Sequence, residues 1–111
     1  MSININLKRT TTMAISKTYS KSKPVCKVTF ALAAETVNGA KSVNVLGDFN
    51  EWTLTPLKKQ KDGLYKASVE LEKGKEFAFR YLIDNNWIND EAADKYVPSG
   101  VSYDENSVVV L

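Results

Sequence analysis

Three stretches of strict two-residue alternation leave this chain little choice of fold. Cys26, Val28, Phe30 and Leu32 fall on one face of an extended segment, with Lys27, Thr29 and Ala31 on the other. Tyr65, Ala67, Val69 and Leu71 alternate with Lys66, Ser68 and Glu70. Phe77, Phe79, Tyr81 and Ile83 alternate with Ala78, Arg80 and Leu82. A strand points successive side chains to opposite sides, so each stretch predicts a strand with one face committed to a core. Val43 and Val45 add a shorter inward pair, Pro56-Leu57 a short edge, Trp87-Ile88 a short extension and Ser107–Leu111 a last strand. Turn signals separate these runs: Asn38-Gly39 within Glu35–Lys41, Asp62-Gly63, Lys73-Gly74-Lys75 and Asp84-Asn85-Asn86. Asn89 to Glu105 reads as irregular, and no stretch carries a convincing helical period. Short strands with frequent turns predict an all-β antiparallel sandwich. The single cysteine, Cys26, sits on an apolar face, reads as a small core residue, and leaves no Cys–Trp–Cys framework.

A length of 111 residues suits one domain. Its boundary is read at Pro24, with residues 24–111 as the folded module and residues 1–23 as a flexible basic extension. The extension is rich in Ser, Thr, Lys and Asn and offers too little apolar surface to offset its ordering entropy. Within it Ser2–Leu7 alternates well enough to read as a strand, and Met13 is a second candidate start. Intact mass of the protein from its native source distinguishes Met13 from Met1. The formal charge of +2 is unevenly spread. Lys8, Arg9, Lys17, Lys21, Lys23 and Lys27 stand without an acidic residue in positions 1–34, and all 13 acidic residues follow. A nucleic-acid reader carries its positive charge on the folded surface, so nucleic acid is not the expected partner.

Several classes of chemistry are disfavoured. Histidine is absent and cysteine occurs once, which removes an internal disulfide and any Cys/His zinc cluster. No run approaches the roughly 18 apolar residues of a membrane span, and the N-terminus lacks an apolar signal core, so a cytoplasmic protein that does not enter membranes is expected. No Ser or Cys stands in a nucleophile motif. Asp48 with Glu51, or Asp84 with Asp90, could be put forward as carboxylate pairs for glycoside hydrolysis. Both pairs lie in turns, where Asp commonly bonds the local backbone. Asp84-Asn85-Asn86 lacks the spacing and central glycine of a calcium loop. A non-enzyme without metal or cofactor is the expectation.

The informative residues are aromatic, amide and basic. Gly47-Asp48-Phe49-Asn50-Glu51-Trp52 puts two large aromatics into a polar turn at the end of the Val43–Leu46 run, and Trp87 follows the Asp-Asn-Asn turn. Each Trp either plugs the end of the core or stands outside as a flat ligand surface. Arg80, on the face opposite Phe79 and Tyr81, points away from the core. An indole face suits the C–H-rich face of a sugar ring, a guanidinium offers a fixed fork of donors, and an amide both donates and accepts. Two Trp platforms with Arg and Asn nearby could hold a neutral polysaccharide. The residue types alone leave both places open to each Trp, the core plug included.

Val43–Trp52 resembles the Gly-x-Phe-Asn-x-Trp strand and turn of family 48 carbohydrate-binding modules, which include the glycogen-binding domain of AMP-activated kinase β subunits and the N-terminal domains of isoamylases and branching enzymes. Phe79–Asp90 is similar to the family's aromatic-basic-aromatic strand, Asp turn, Trp and trailing Asp. Ala93–Pro98 and Asn106–Val109 are closest to the isoamylase-type ending. The resemblance covers roughly residues 25–111 in the same order. It implies an early-set, immunoglobulin-like sandwich that binds α-1,4-linked glucan such as glycogen or starch. It further implies sugar stacked on Trp52 and Trp87, with Arg80 and Asn106 bonding hydroxyls. Gly100 to Asp104 departs from the kinase-type loop, whose apolar residue enters the sugar helix; Val97 or Val101 would take that place. Many isoamylase-type members use the fold to pack on a catalytic domain. The alternative is therefore an interaction module that docks on a carbohydrate-active enzyme or kinase without binding glucan.

Overall fold

The computed structural model describes residues 13–100 and 104–111. Among the described residues ten strands form two antiparallel sheets: β1 (Met13–Tyr19), β2 (Val25–Leu32), β3 (Val43–Gly47), β4 (Thr55–Pro56), β5 (Lys58–Lys59), β6 (Tyr65–Glu72), β7 (Glu76–Ile83), β8 (Asn86–Ile88), β9 (Lys95–Pro98) and β10 (Glu105–Val110). The first sheet runs β1-β2-β6-β5; the second runs β4-β3-β7-β10-β9, with β8 also on β7. The two sheets pack face to face as an all-β sandwich, as the alternation predicts, of the immunoglobulin-like kind that the resemblance implies. Among the described residues, no helix is long and apolar enough to cross a membrane.

The core is made by the predicted inward residues. Cys26, Val28, Phe30 and Leu32 from β2 meet Val43 and Val45 from β3, Phe79, Tyr81 and Ile83 from β7, and Val109 from β10. Phe30 is the hub across the layers. Its ring lies 4.9 Å from Phe79 and 6.2 Å from Tyr81, in the tilted and edge-on geometries that suit the ring quadrupoles. Phe49 stacks on it from the turn at 5.6 Å, so this turn aromatic does close the end of the core.

Three sequence readings need correction. Met13–Tyr19 is not part of an unstructured tail: it pairs with β2 along its whole length, from Met13 opposite Leu32 to Tyr19 opposite Cys26. Lys17 occupies an inward-phase position and so hides the alternation. Its ammonium is held at 2.7 Å by Asp94, while Met13 and Ile15 pack on the core. The stretch read as irregular contains β9, an edge strand that pairs with β10 from Lys95 opposite Val108 to Pro98 opposite Glu105. Ala34–Val37 makes one helical turn, α1, inside the predicted connection, closed by Asn38 in a left-handed conformation. The Ser2–Leu7 strand reading and Val101 lie outside the described residues.

The second sheet has one feature that positions the site. β3 occupies one edge of β7, and the other edge is divided between two strands. β10 pairs with Glu76 to Phe79, and β8 pairs with Tyr81 to Ile83. Arg80 stands where the first gives way to the second. Asn89 spans the change: its carbonyl oxygen accepts from the Ser107 N–H at 3.0 Å and the Ser107 hydroxyl at 2.8 Å, and its amide donates to the Glu105 carbonyl at 2.9 Å.

Candidate carbohydrate-binding site

Each residue of the Gly47–Trp52 turn has a distinct physical task. A Cβ on Gly47 would lie 2.5 Å from the Ala78 carbonyl oxygen and 2.7 Å from the Phe79 Cβ, so glycine is required by close approach to β7. Its backbone is extended, so left-handed freedom is not the reason. Asn50 ties the turn: its carbonyl oxygen accepts from the Gly47 N–H at 2.9 Å, and its amide donates to the Val45 carbonyl and to Thr55 Oγ1. The backbone then enters the left-handed region at two consecutive non-glycine residues, Glu51 (φ 55°) and Trp52 (φ 58°). Such conformations cost on the order of 1 kcal/mol or more each and persist only where surrounding bonds over-determine them. The Trp52 N–H donates to the Gly47 carbonyl at 2.9 Å, and the Thr53 N–H to Asn50 at 3.1 Å.

Asp48 completes the arrangement. One carboxylate oxygen accepts the Trp52 indole N–H at 3.1 Å, and the other accepts the Ala78 N–H at 3.0 Å. One side chain therefore couples the Trp52 ring to β7, the strand that carries Arg80. It also occupies the indole donor, so Trp52 presents its face rather than its N–H.

Trp52, Arg80, Trp87 and Asn106, the four residues singled out in the sequence, line one cleft of about 550 Å³ on the outer face of the second sheet, together with Asp48, Ser99 and Asp104. A volume of this size lies in the ordinary range for small-ligand sites. Trp87, in register with Leu82 on β7, is 48% exposed, so it is not a core plug. Trp52 is half-buried with one side on the cleft. Arg80 has a side chain only 15% exposed; its Nε donates to Asn106 Oδ1 at 2.7 Å, and Nη1 lies 3.9 Å from an Asp104 oxygen. Val97 is half-buried on β9 opposite Asn106.

The second sheet also holds a buried polar knot around Asp90, which the sequence offered only as the trailing Asp of a motif and as a partner for Asp84 in a turn. Asp90, fully buried, accepts from the Tyr81 hydroxyl at 2.5 Å and the Ala92 N–H at 2.7 Å, and donates its own N–H to Ser107. The Tyr96 hydroxyl donates to the Asp90 carbonyl at 2.5 Å. Burial raises the Asp90 carboxyl above its ordinary value, and burial beside Asp90 raises the Tyr81 hydroxyl well above its own. Asp48, Ser99 and Asp104 carry no signal that separates them in sequence from ordinary turn residues. Asp84, the other turn carboxylate, accepts from the Lys41 and Ser42 N–H groups, a local structural task. Among the described residues no cluster of His, Cys, Asp and Glu could hold a metal ion.

Residues 34–103 match the family described as the glycogen recognition site of AMP-activated protein kinase. The matched span is more than half of the chain and includes Trp52, Arg80 and Trp87; Asn106 lies just beyond it. No curated protein matches the chain.

Proposed function

The chain belongs to the family of the glycogen recognition site of AMP-activated protein kinase, and on that premise we propose that it is a non-catalytic module binding α-1,4-linked glucan of the glycogen or starch kind in the cytoplasm. The observation that carries the proposal is the single cleft shared by Trp52, Trp87, Arg80 and Asn106. The two indole faces would stack on glucose rings. Neither Trp must leave a core to do so, and the Asp48 anchor fixes Trp52 before ligand arrives, which lowers the ordering cost of binding. The Arg80 Nη groups and the Asn106 amide remain to donate to ring hydroxyls, and the carboxylates of Asp48 and Asp104 accept from them. A shallow, preformed contact of this kind supports an affinity on the order of millimolar to micromolar.

The test is affinity electrophoresis in gels with and without glycogen. Wild-type protein is retarded by glycogen. Trp87→Ala, which removes an exposed side chain and leaves the fold intact, loses most of the retardation, and Trp52→Ala and Arg80→Ala weaken it. Wild-type protein that migrates unchanged, or folded Trp87→Ala retarded as strongly as wild type, overturns the reading. An unretarded protein that retains a carbohydrate-active enzyme or kinase through the same Trp87-dependent face is instead the docking module.

A further inference from the structure

We propose that the cleft selects uncharged glucan and rejects glucan that carries phosphate monoesters, with Asp104 as the specificity-determining residue. The proposal rests on the glucan-binding reading and adds a rule of selection to it. Of the described side chains that line the cleft, Asp48 and Asp104 are carboxylates and Arg80 is the one cation. Arg80 is partly balanced: its Nε is held by Asn106 at 2.7 Å, and its Nη1, still able to donate, faces the Asp104 carboxylate at 3.9 Å. Asp48 is held by two N–H groups, which satisfy its oxygens without neutralising its charge. The described lining of the cleft therefore carries a net negative charge, although it contains an arginine.

Hydrogen bonding points the same way. A carboxylate only accepts, so groups that approach Asp48 and Asp104 must donate. Glucose hydroxyls both donate and accept and can bridge either carboxylate to Arg80. A phosphate monoester is close to a dianion at neutral pH, brings acceptors only and meets two like charges. At the Arg80 Nη1 it would also meet the Asp104 carboxylate, 3.9 Å from that nitrogen. In a solvent-open cleft, repulsion of this kind corresponds to roughly a three- to tenfold loss of affinity, and it weakens as salt shortens the Debye length.

The experiment is a tryptophan-fluorescence titration with maltoheptaose and with the same oligosaccharide bearing one 6-phosphate, at low salt and in about 1 M NaCl. Wild type and Asp104→Asn are compared; the Asp104 side chain is 67% exposed, so this substitution does not threaten the fold. Wild type is expected to bind the neutral sugar at least about threefold more tightly than the phosphorylated one. High salt and Asp104→Asn each narrow that ratio, which a purely structural role of Asp104 would not move. Wild type that binds the neutral sugar and binds the phosphorylated one as well or better overturns the selection rule while leaving glucan binding standing. A ratio unchanged in Asp104→Asn overturns the assignment to that residue. Binding of neither sugar overturns the glucan reading and this proposal with it.

Discussion

Gly47 and Asp48 sit side by side and do opposite kinds of work. Gly47 makes room: with a methyl group there, the Ala78 carbonyl and the Phe79 Cβ would both have to retreat, and neither is the free end of a flexible side chain. Gly47→Ala should therefore destabilise by about 2–3 kcal/mol, the upper part of the range for overpacking, measured by urea denaturation. Asp48 makes a bond that crosses from the turn to β7 and holds the Trp52 indole. Asp48→Ala should leave the fold near wild-type stability but free the Trp52 ring. A loss of about 1 kcal/mol of glucan binding is expected by titration, the usual worth of one hydrogen bond, and Trp52→Ala in the same background should then cost less than it does alone. Neither role is visible in sequence, where Gly47-Asp48 reads as ordinary turn vocabulary. The partners of both residues lie about 30 positions away on β7, and only folding brings them together.

At the scale of elements, β1 and the divided edge of β7 account for the differences between sequence and structure. β1 is an edge strand whose inward phase reads Met13, Ile15, Lys17, so its pattern breaks at the point where Asp94 reaches over from the connection before β9. Deleting residues 1–19 removes two apolar side chains from the core boundary and should cost about 2–3 kcal/mol. The cleft lies on the opposite sheet, so the glucan affinity proposed for it should be kept at temperatures where the truncated protein is folded. Burial acts to raise the Asp94 carboxyl, but the Lys17 hydrogen bond and the Val110 N–H outweigh it and hold the group below its ordinary 3.8. A depressed carboxylate stabilises above its ordinary value and loses that contribution as pH falls through the lowered folded value. Lys17→Ala should therefore cost less than about 1 kcal/mol at neutral pH, as expected for a half-exposed pair, and nothing in strong acid.

At the scale of the whole molecule, the Asp90 knot ties the second sheet together, joining Tyr81 on β7 to Ser107 on β10 and Tyr96 on β9. Burial raises the Asp90 carboxyl, the reverse of Asp94. A raised folded value gives a contribution that is complete below the ordinary carboxylate value and is lost as pH rises through the raised one. Asp90→Asn cannot ionise. Its stability relative to wild type, followed by denaturation from about pH 3 upward, should shift in favour of the variant across that window, even if the lost acceptor for Ala92 lowers both ends of the curve. A flat difference would mean that the Asp90 carboxyl titrates alike in the folded and unfolded chain. Tyr81→Phe removes a donor from a buried carboxylate and should cost about 2 kcal/mol at neutral pH.

Period-two alternation was enough to specify the sandwich, its strands β2, β6 and β7, and most of its core. Burial of one face is a local property that repeats every second residue and survives in the bare sequence. The four residues that meet in the cleft were legible as types: two indoles, a guanidinium on the outer phase of β7 and an amide on the last strand. Their meeting was not, because it depends on the register of β7 against β10 and β8, and register is a relation between strands rather than a property of any one of them. The same holds for β1, which gains its order from the ladder with β2, and for Asp48 and Asp104. The alternation assigned Arg80 to the outer face; the division of one strand edge between two partners put Trp87 and Asn106 beside it.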